Sequence, residues 1–133
     1  MAETSGLNHL GLSVMNLDAT TEFFVTVLNW EETARDDSYP RNSITDGSLR
    51  LTLWQVDHSA PINGFDRRAN VGLHHLALTV DTETDLNTLA QRISSWPGVV
   101  VDFMPELMGR GPRKHMMFRE PGGIRVELTW PGQ

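Results

Sequence analysis

The sequence contains no cysteine. Disulfide bonds, thiolate metal sites and cysteine nucleophiles are therefore excluded, and any metal ion must be held by His, Asp or Glu side chains. No stretch approaches the roughly 20 apolar residues of a membrane-spanning helix. Basic residues are scarce as well, because the chain has 11 Lys and Arg compared with 17 Asp and Glu. The formal net charge is −6. This balance argues against a nucleic-acid partner, which is held through clustered Lys and Arg.

The length and composition predict one ordinary folded domain. A chain of 133 residues with 39% hydrophobic and 21% charged residues can bury a substantial core. Residues 1–6 contain neither a basic region nor an apolar run, so we expect no signal peptide and a cytoplasmic protein.

Two segments of the chain are nearly the same. Residues 7–14 read LNHLGLSV and residues 73–80 read LHHLALTV, and each has a histidine at its third place. Each copy alternates with the period of a β-strand and is followed by a helical pattern and three more strands. Internal duplication of this kind predicts an α+β fold of two βαβββ modules. We assign residues 7–56 and 71–130 to the modules and residues 57–70 to a connector.

The element boundaries follow from caps and turns. Asn16 predicts the start of a helix over residues 17–28, which Asn29 ends in the left-handed conformation, and an apolar stripe predicts a second helix over residues 83–94. The second module is the longer, and we place its insertion in a loop over residues 105–113. Strands are predicted at residues 7–14, 30–35, 42–45, 49–56, 73–80, 99–104, 114–119 and 124–130.

Strand alternation sorts the side chains by face. One face of each predicted sheet is aliphatic, and the other carries small and polar residues. His9, His75 and Glu127 belong to the polar face, where the short Gly11 and Ala77 leave room for a ligand. The closing strands of the two modules align so that Glu127 corresponds to a threonine in the first module.

Two histidines and one carboxylate can hold a divalent metal ion and leave positions open for a substrate. Fe, Zn, Mn, Ni and Co all suit such nitrogen and oxygen ligands. A single histidine in a strand is usually a packing residue, but the repeat-equivalent places of His9 and His75 favour ligation together with Glu127. The same alternation places His74 on the face opposite His75, where packing or a supporting contact is expected.

These motifs make the chain resemble the vicinal oxygen chelate superfamily. That group includes glyoxalase I, fosfomycin-resistance proteins, extradiol dioxygenases, methylmalonyl-CoA epimerase and bleomycin-binding proteins. The resemblance rests on residues 7–10, 73–78 and 118–127 with the helix behind the first strand. It implies that residues 1–133 form one glyoxalase-like domain whose curled sheets make a cup around a metal ion.

The resemblance also implies a ligand set. His9, His75 and Glu127 fall on the ligand positions of the first, fifth and eighth strands. Glyoxalase I has a fourth ligand, a carboxylate that also takes part in proton transfer, and Thr52 stands in its place here. The three remaining ligands match the set of fosfomycin-resistance proteins and extradiol dioxygenases. A homodimer is implied too, with the ligands drawn either from one chain or from both.

Three functions remain open from the sequence, the third being a partner-binding module in which the histidines are structural relics. The first is a metal-dependent enzyme, with extradiol-dioxygenase-like or lyase and isomerase chemistry on a small molecule, for which no general acid or base is identified. The second is a metal-free drug- or metabolite-binding protein of the bleomycin-resistance type. Neither nucleic acid nor a membrane is expected as a partner. Candidate substrate-binding residues, each of which could equally be a solvated or packing residue, are Arg50, Thr52, Trp54, Arg110, Arg113 and His115.

Overall fold

The computed structural model describes the whole chain, Met1–Gln133. Two compact units are present, Met1–Ala60 and Pro61–Gln133, and each contains one four-stranded sheet. We refer to them as the first and second modules. In chain order, the elements are β1 (Leu10–Val14), α1 (Leu17–Glu22), a π-helical turn (Phe23–Val27), β2 (Glu31–Asp36), β3 (Arg41–Thr45), β4 (Arg50–Gln55), β5 (Leu76–Thr79), α2 (Glu83–Ser94), β6 (Val100–Leu107), β7 (Lys114–Arg119) and β8 (Arg125–Trp130).

The two sheets have the same topology, which confirms the α+β fold with duplicated βαβββ modules. The strand orders are β1-β4-β3-β2 and β5-β8-β7-β6. In each, the opening strand runs parallel to the closing strand and the other pairs are antiparallel. Gly11 pairs with Thr52, and Ala77 pairs with Glu127. The register therefore confirms that Thr52 and Glu127 occupy equivalent positions.

The apolar face of each sheet forms the core of its own module. In the first module Ile44, Leu51 and Leu53 have no exposed surface, and in the second Leu86 and Phe118 are equally buried. Burial of a Leu, Ile or Phe side chain contributes about 1.5–3 kcal/mol. Because successive side chains of a strand point to opposite faces, the polar groups of these sheets lie on the face away from the core. Neither helix has the length and apolarity needed to cross a membrane.

The first helix differs from the prediction of a regular α-helix over residues 17–28. Asn16 caps it as expected, since its Oδ1 accepts from the backbone N–H of Ala19 at 2.9 Å. After Glu22, however, the helix widens into the π-helical turn. Phe23 and Phe24 are adjacent in sequence and both fully buried, and the wider turn accommodates the two rings.

The insertion of the second module is shorter than predicted. Strand β6 continues to Leu107, so Pro105 lies within a strand and not in a loop. The pairing of β6 with β7 is irregular between Phe103 and Glu106, and such a bulge is where a strand tolerates proline because no ladder hydrogen bond is lost. The remaining loop, residues 108–113, is closed by a hydrogen bond from the Met108 N–H to the Arg113 carbonyl at 2.8 Å.

Candidate functional site

His9 lies just before β1 and is exposed. Its Nδ1 is 2.8 Å from Oδ1 of Asn8. An amide oxygen only accepts, so the ring donates from Nδ1 and its Nε2 carries a lone pair. That form of the ring is the one that binds a metal ion through Nε2, and the neighbour on the other nitrogen sets its orientation.

His75, His115 and Glu127 form a cluster on the polar face of the second sheet. His75 Nε2 is 3.7 Å from Glu127 Oε1, and His115 Nδ1 is 2.7 Å from Glu127 Oε2. Only Oε2 of the carboxylate therefore has a hydrogen bond, and the Glu127 side chain is 11% exposed. The edge of the Phe103 ring packs on His115, with ring centroids 4.7 Å apart. His115, which the sequence suggested only as a candidate substrate-binding residue, therefore lies beside Glu127.

The predicted placement of His74 is wrong. It was expected on the face opposite His75, but the Nδ1 atoms of the two rings are 2.7 Å apart. Strand β5 begins only at Leu76, so strict alternation does not extend back to residues 74 and 75. Partial desolvation first, and then the neighbouring charges of His75, Arg125 and Arg67, lower the pKa of His74 below its ordinary value.

Thr52 and Trp54 lie together on the polar face of the first sheet. The indole Nε1–H of Trp54 donates to Thr52 Oγ1 at 3.1 Å. A Cβ added to Gly11 would approach this oxygen to 3.2 Å, which explains the glycine on the neighbouring strand. The hydroxyl is therefore a hydrogen-bond acceptor in a close-packed site, and no carboxylate stands at this ligand position of the first module.

An aromatic-walled cleft of about 710 Å³ also belongs to the first module. Trp54 forms one wall, where Tyr39 packs against it at 5.2 Å between ring centroids and the Arg41 guanidinium lies 5.7 Å from its ring. The polar part of the lining consists of Ser13, Ser38, Gln55, Asp57 and His58. Clefts of this kind hold small planar or apolar groups.

The predicted basic residues are not gathered at one place. Arg50 is exposed at the start of β4, opposite Thr45 of β3. Arg110 and Arg113 are exposed in the 108–113 loop and make no ion pair. A third group of cations lies elsewhere in the second module, where Arg119 and Arg125 share the carboxylate of Asp102 at 3.5 and 3.0 Å.

Comparison with known proteins identifies the family of this chain. The model of the Glyoxalase/Bleomycin resistance protein/Dioxygenase superfamily matches residues 6–128. The chain belongs to this superfamily. Among curated proteins, none matches it.

Several solved structures share the superfamily fold. A glyoxylase/bleomycin resistance protein/dioxygenase domain from Frankia sp. EAN1pec is 25% identical, with a TM-score of 0.82 and coverage of 98% of this chain and 95% of that chain. The fosfomycin resistance protein FosX from Listeria monocytogenes is 21% identical, with a TM-score of 0.75 and coverage of 98% and 93%. Lactoylglutathione lyase from Agrobacterium tumefaciens is 19% identical, with a TM-score of 0.71 and coverage of 97% and 96%.

The imidazole and carboxylate donors of the second module are of the types that bind divalent metal ions. Two ligand atoms that are each about 2.1 Å from a tetrahedral metal ion are roughly 3.4 Å apart. His75 Nε2 and Glu127 Oε1 are separated by 3.7 Å, which is close to that distance. No group of three or more His, Asp or Glu side chains is arranged to hold an ion as the structure stands. His9, which belongs to the first module, is the third donor of the predicted set.

Sequence reasoning missed Asn8, Asp102 and Arg125 around these donors and placed His74 on the wrong face. Asn8 and His74 each precede a histidine and contact its Nδ1, and Asp102 and Arg125 extend the contacts of His74. The duplication held a signal for Asn8 and His74, because they occupy the same place in the repeated strand. No sequence pattern marks Asp102, whose position depends on the irregular pairing of β6.

Proposed function

We propose that this superfamily member is a metal-dependent enzyme acting on a small molecule with two neighbouring oxygen atoms. One divalent ion would be held by His9, His75 and Glu127, with substrate oxygens completing its coordination. The observation that carries the proposal is the approach of His75 Nε2 to Glu127 Oε1 at 3.7 Å on a polar sheet face. The FosX structure that contains Mn(II) and 1S,2S-dihydroxypropylphosphonic acid supports metal use within the family.

The side chains around Glu127 would position the reacting groups. The ion, when bound, supplies electrophilic stabilisation of negative charge on a substrate oxygen. His115 donates its Nδ1–H to Glu127 Oε2, which fixes the plane of the carboxylate. The same tautomer leaves His115 Nε2 with a lone pair, able to accept a hydrogen bond from a substrate hydroxyl. Thr52 offers no carboxylate, so the four-ligand arrangement of glyoxalase I is not proposed.

Substrate recognition would use the remaining predicted residues. Trp54 and Thr52 would contact an apolar or planar part of the substrate, since Trp54 walls the cleft of the first module. Arg110 and Arg113 of the 108–113 loop would attract an anionic group, because neither is neutralised by an ion pair and guanidinium binds oxyanions well. Arg50 of the first module would offer a separate cation. Extradiol ring cleavage, lyase or isomerase chemistry, and opening of an epoxide are the reaction types to test.

Metal analysis of protein purified without a histidine tag tests the proposal. We expect about one equivalent of Zn²⁺, Mn²⁺ or Fe²⁺ after reconstitution of the wild type, and loss of binding in His75→Ala and Glu127→Gln. His58→Ala is the control, because His58 contacts the Met15 carbonyl and lies outside the proposed ligand set. Turnover is then measured with catechols, glutathione hemithioacetals and fosfomycin. Wild-type protein that stays metal-free after reconstitution would refute the enzyme and leave the ligand-binding function.

We also propose a homodimer, and mixed dimers test how the ligands are shared. His9→Ala and Glu127→Gln each remove one ligand from every site. If each site takes His9 from one chain and Glu127 from the other, a mixed dimer contains one intact site and recovers metal binding. If each site lies within one chain, mixing recovers nothing. A single monomeric species in sedimentation would contradict the dimer.

A further inference from the structure

Polar contacts connect the Asp102 carboxylate to His75 through two side chains of the second module. Arg125 Nε donates to Asp102 Oδ2 at 3.0 Å. Nη1 of the same guanidinium is 3.5 Å from His74 Nδ1, and this atom is in turn 2.7 Å from His75 Nδ1. The proposed metal-facing atom, His75 Nε2, is at the far side of the last ring. The contacts therefore end at the His75 ring, which can bind a metal ion through Nε2 only when that nitrogen carries no hydrogen.

The donor and acceptor roles along these contacts follow from Arg125. A guanidinium has only N–H donors and cannot accept a hydrogen bond. His74 Nδ1 must therefore present a lone pair to it, because a hydrogen on that nitrogen would point at another N–H group. The hydrogen in the short contact between the rings must then be on His75 Nδ1. Glu127 Oε1, at 3.7 Å, is beyond hydrogen-bond distance of His75 Nε2 and does not require a hydrogen there. Since a neutral imidazole carries one ring hydrogen, His75 Nε2 has the lone pair.

We propose that Arg125 and His74 are positioning residues that hold His75 in its Nδ1–H tautomer and so present Nε2 to a metal ion. The metal part of this inference rests on the function proposed above. In the first module, Asn8 alone holds His9 in the same Nδ1–H tautomer, because Asn8 Oδ1 accepts from His9 Nδ1 at 2.8 Å. In both modules, the residue before the histidine engages its Nδ1.

The anchoring of Arg125 provides a matched control. Its side chain is 13% exposed and is held by Asp102. Arg119 stands directly opposite Arg125 in the β7–β8 pairing and contacts the same carboxylate, but its side chain is 49% exposed and makes no contact with His74. Removal of Arg119 thus changes the local charge equally without altering the donor to His74.

The tautomer is measured in metal-free protein by long-range proton–nitrogen correlation spectra of ¹⁵N-histidine, at about pH 8 where an ordinary histidine is neutral. Wild type and Arg119→Met should show His75 with a protonated Nδ1 and an unprotonated Nε2. Arg125→Met and His74→Leu should show a new population protonated at Nε2. His74→Asn, which copies the first module, should restore the wild-type pattern. Protonation of His75 at Nε2 in the wild type, or an unchanged spectrum of Arg125→Met, would overturn the inference.

Zn²⁺ titration by calorimetry adds a second measurement. Supporting contacts of this kind change metal affinity by about 10- to 100-fold, and we expect losses in that range for Arg125→Met and His74→Leu. His74→Asn and Arg119→Met should stay close to the wild type. A wild type with the expected tautomer that binds no Zn²⁺ refutes the proposed function alone. A wild type that binds Zn²⁺ with equal affinity in all four variants refutes the positioning role alone.

Discussion

The contact between His115 and Glu127 leads to a prediction about stability that needs no metal ion. The substitution is His115→Phe, which keeps an aromatic ring against Phe103 and removes only the donor to Glu127 Oε2. The two side chains of this hydrogen bond are 17% and 11% exposed and its length is 2.7 Å. Water can therefore replace the missing donor only in part, and Glu127 Oε2 loses its hydrogen bond.

The expected loss is about 2 kcal/mol in the free energy of unfolding. Hydrogen bonds to charged groups contribute ~1.5–3 kcal/mol, and the limited exposure of Glu127 keeps the value within that range. For a chain of this size, roughly 4 °C of melting temperature corresponds to each kcal/mol, so we expect a decrease of ~8 °C. Because Phe fills the space of the imidazole, the effect comes from the lost hydrogen bond and not from a cavity.

Urea unfolding of metal-free protein at neutral pH measures this change. The same substitution in a Glu127→Gln background is the control, since a neutral hydrogen bond contributes only about 1 kcal/mol. His115→Gln retains an N–H donor and should recover part of the stability. A loss below about 0.5 kcal/mol for His115→Phe, or equal losses in the two backgrounds, would show that Glu127 does not depend on this donor.

Three further predictions concern the folding stability of the first module. Leu53→Ala should lower the free energy of unfolding by about 2–5 kcal/mol, because the side chain is fully buried; urea denaturation measures it, and a loss under 1 kcal/mol would contradict the core assignment. Asn42→Leu should cost about 1–3 kcal/mol in the same assay, since the buried amide donates to Thr21 Oγ1 at 3.1 Å and leaves that hydroxyl without its donor; a neutral effect would be unexpected. The hydroxyl and backbone N–H of Ser59 lower the pKa of Asp57 below 3.8. The stability they add is present above pH 3.8 and is lost as the pH falls through the lower folded-state pKa, so thermal melts should separate Asp57→Asn from the wild type at neutral pH and converge in acid. A constant difference across that range would argue against this linkage.

Much of the fold could be predicted because duplication and strand alternation are local patterns. The helix over Glu83–Ser94 and the strand Lys114–Arg119 begin and end where the pattern indicates. The prediction was wrong where packing overrides a local pattern. The first helix widens into a π-helical turn where Phe23 and Phe24 are both fully buried, and β6 continues through the bulge near Pro105.

The candidate site divides in the same way. Repeat-equivalent positions and face alternation selected His9, His75 and Glu127, and the parallel register of β5 with β8 places Glu127 in the neighbourhood of His75. The contacts that orient these donors could not be predicted. They join residues far apart in the chain, such as His74 with Arg125, and they depend on side-chain directions that alternation alone does not determine.

The sequence by itself determined the duplicated βαβββ modules, the core faces and the candidate donor residues, because hydrophobic periodicity and repetition are encoded in neighbouring residues. Only the tertiary structure decided which partners surround each donor. His74 turns toward His75 instead of away from it, and Arg125 reaches His74 from a strand 51 residues later in the chain. The physical reason is that a hydrogen bond depends on atomic distance and direction, which arise only when the strands have paired.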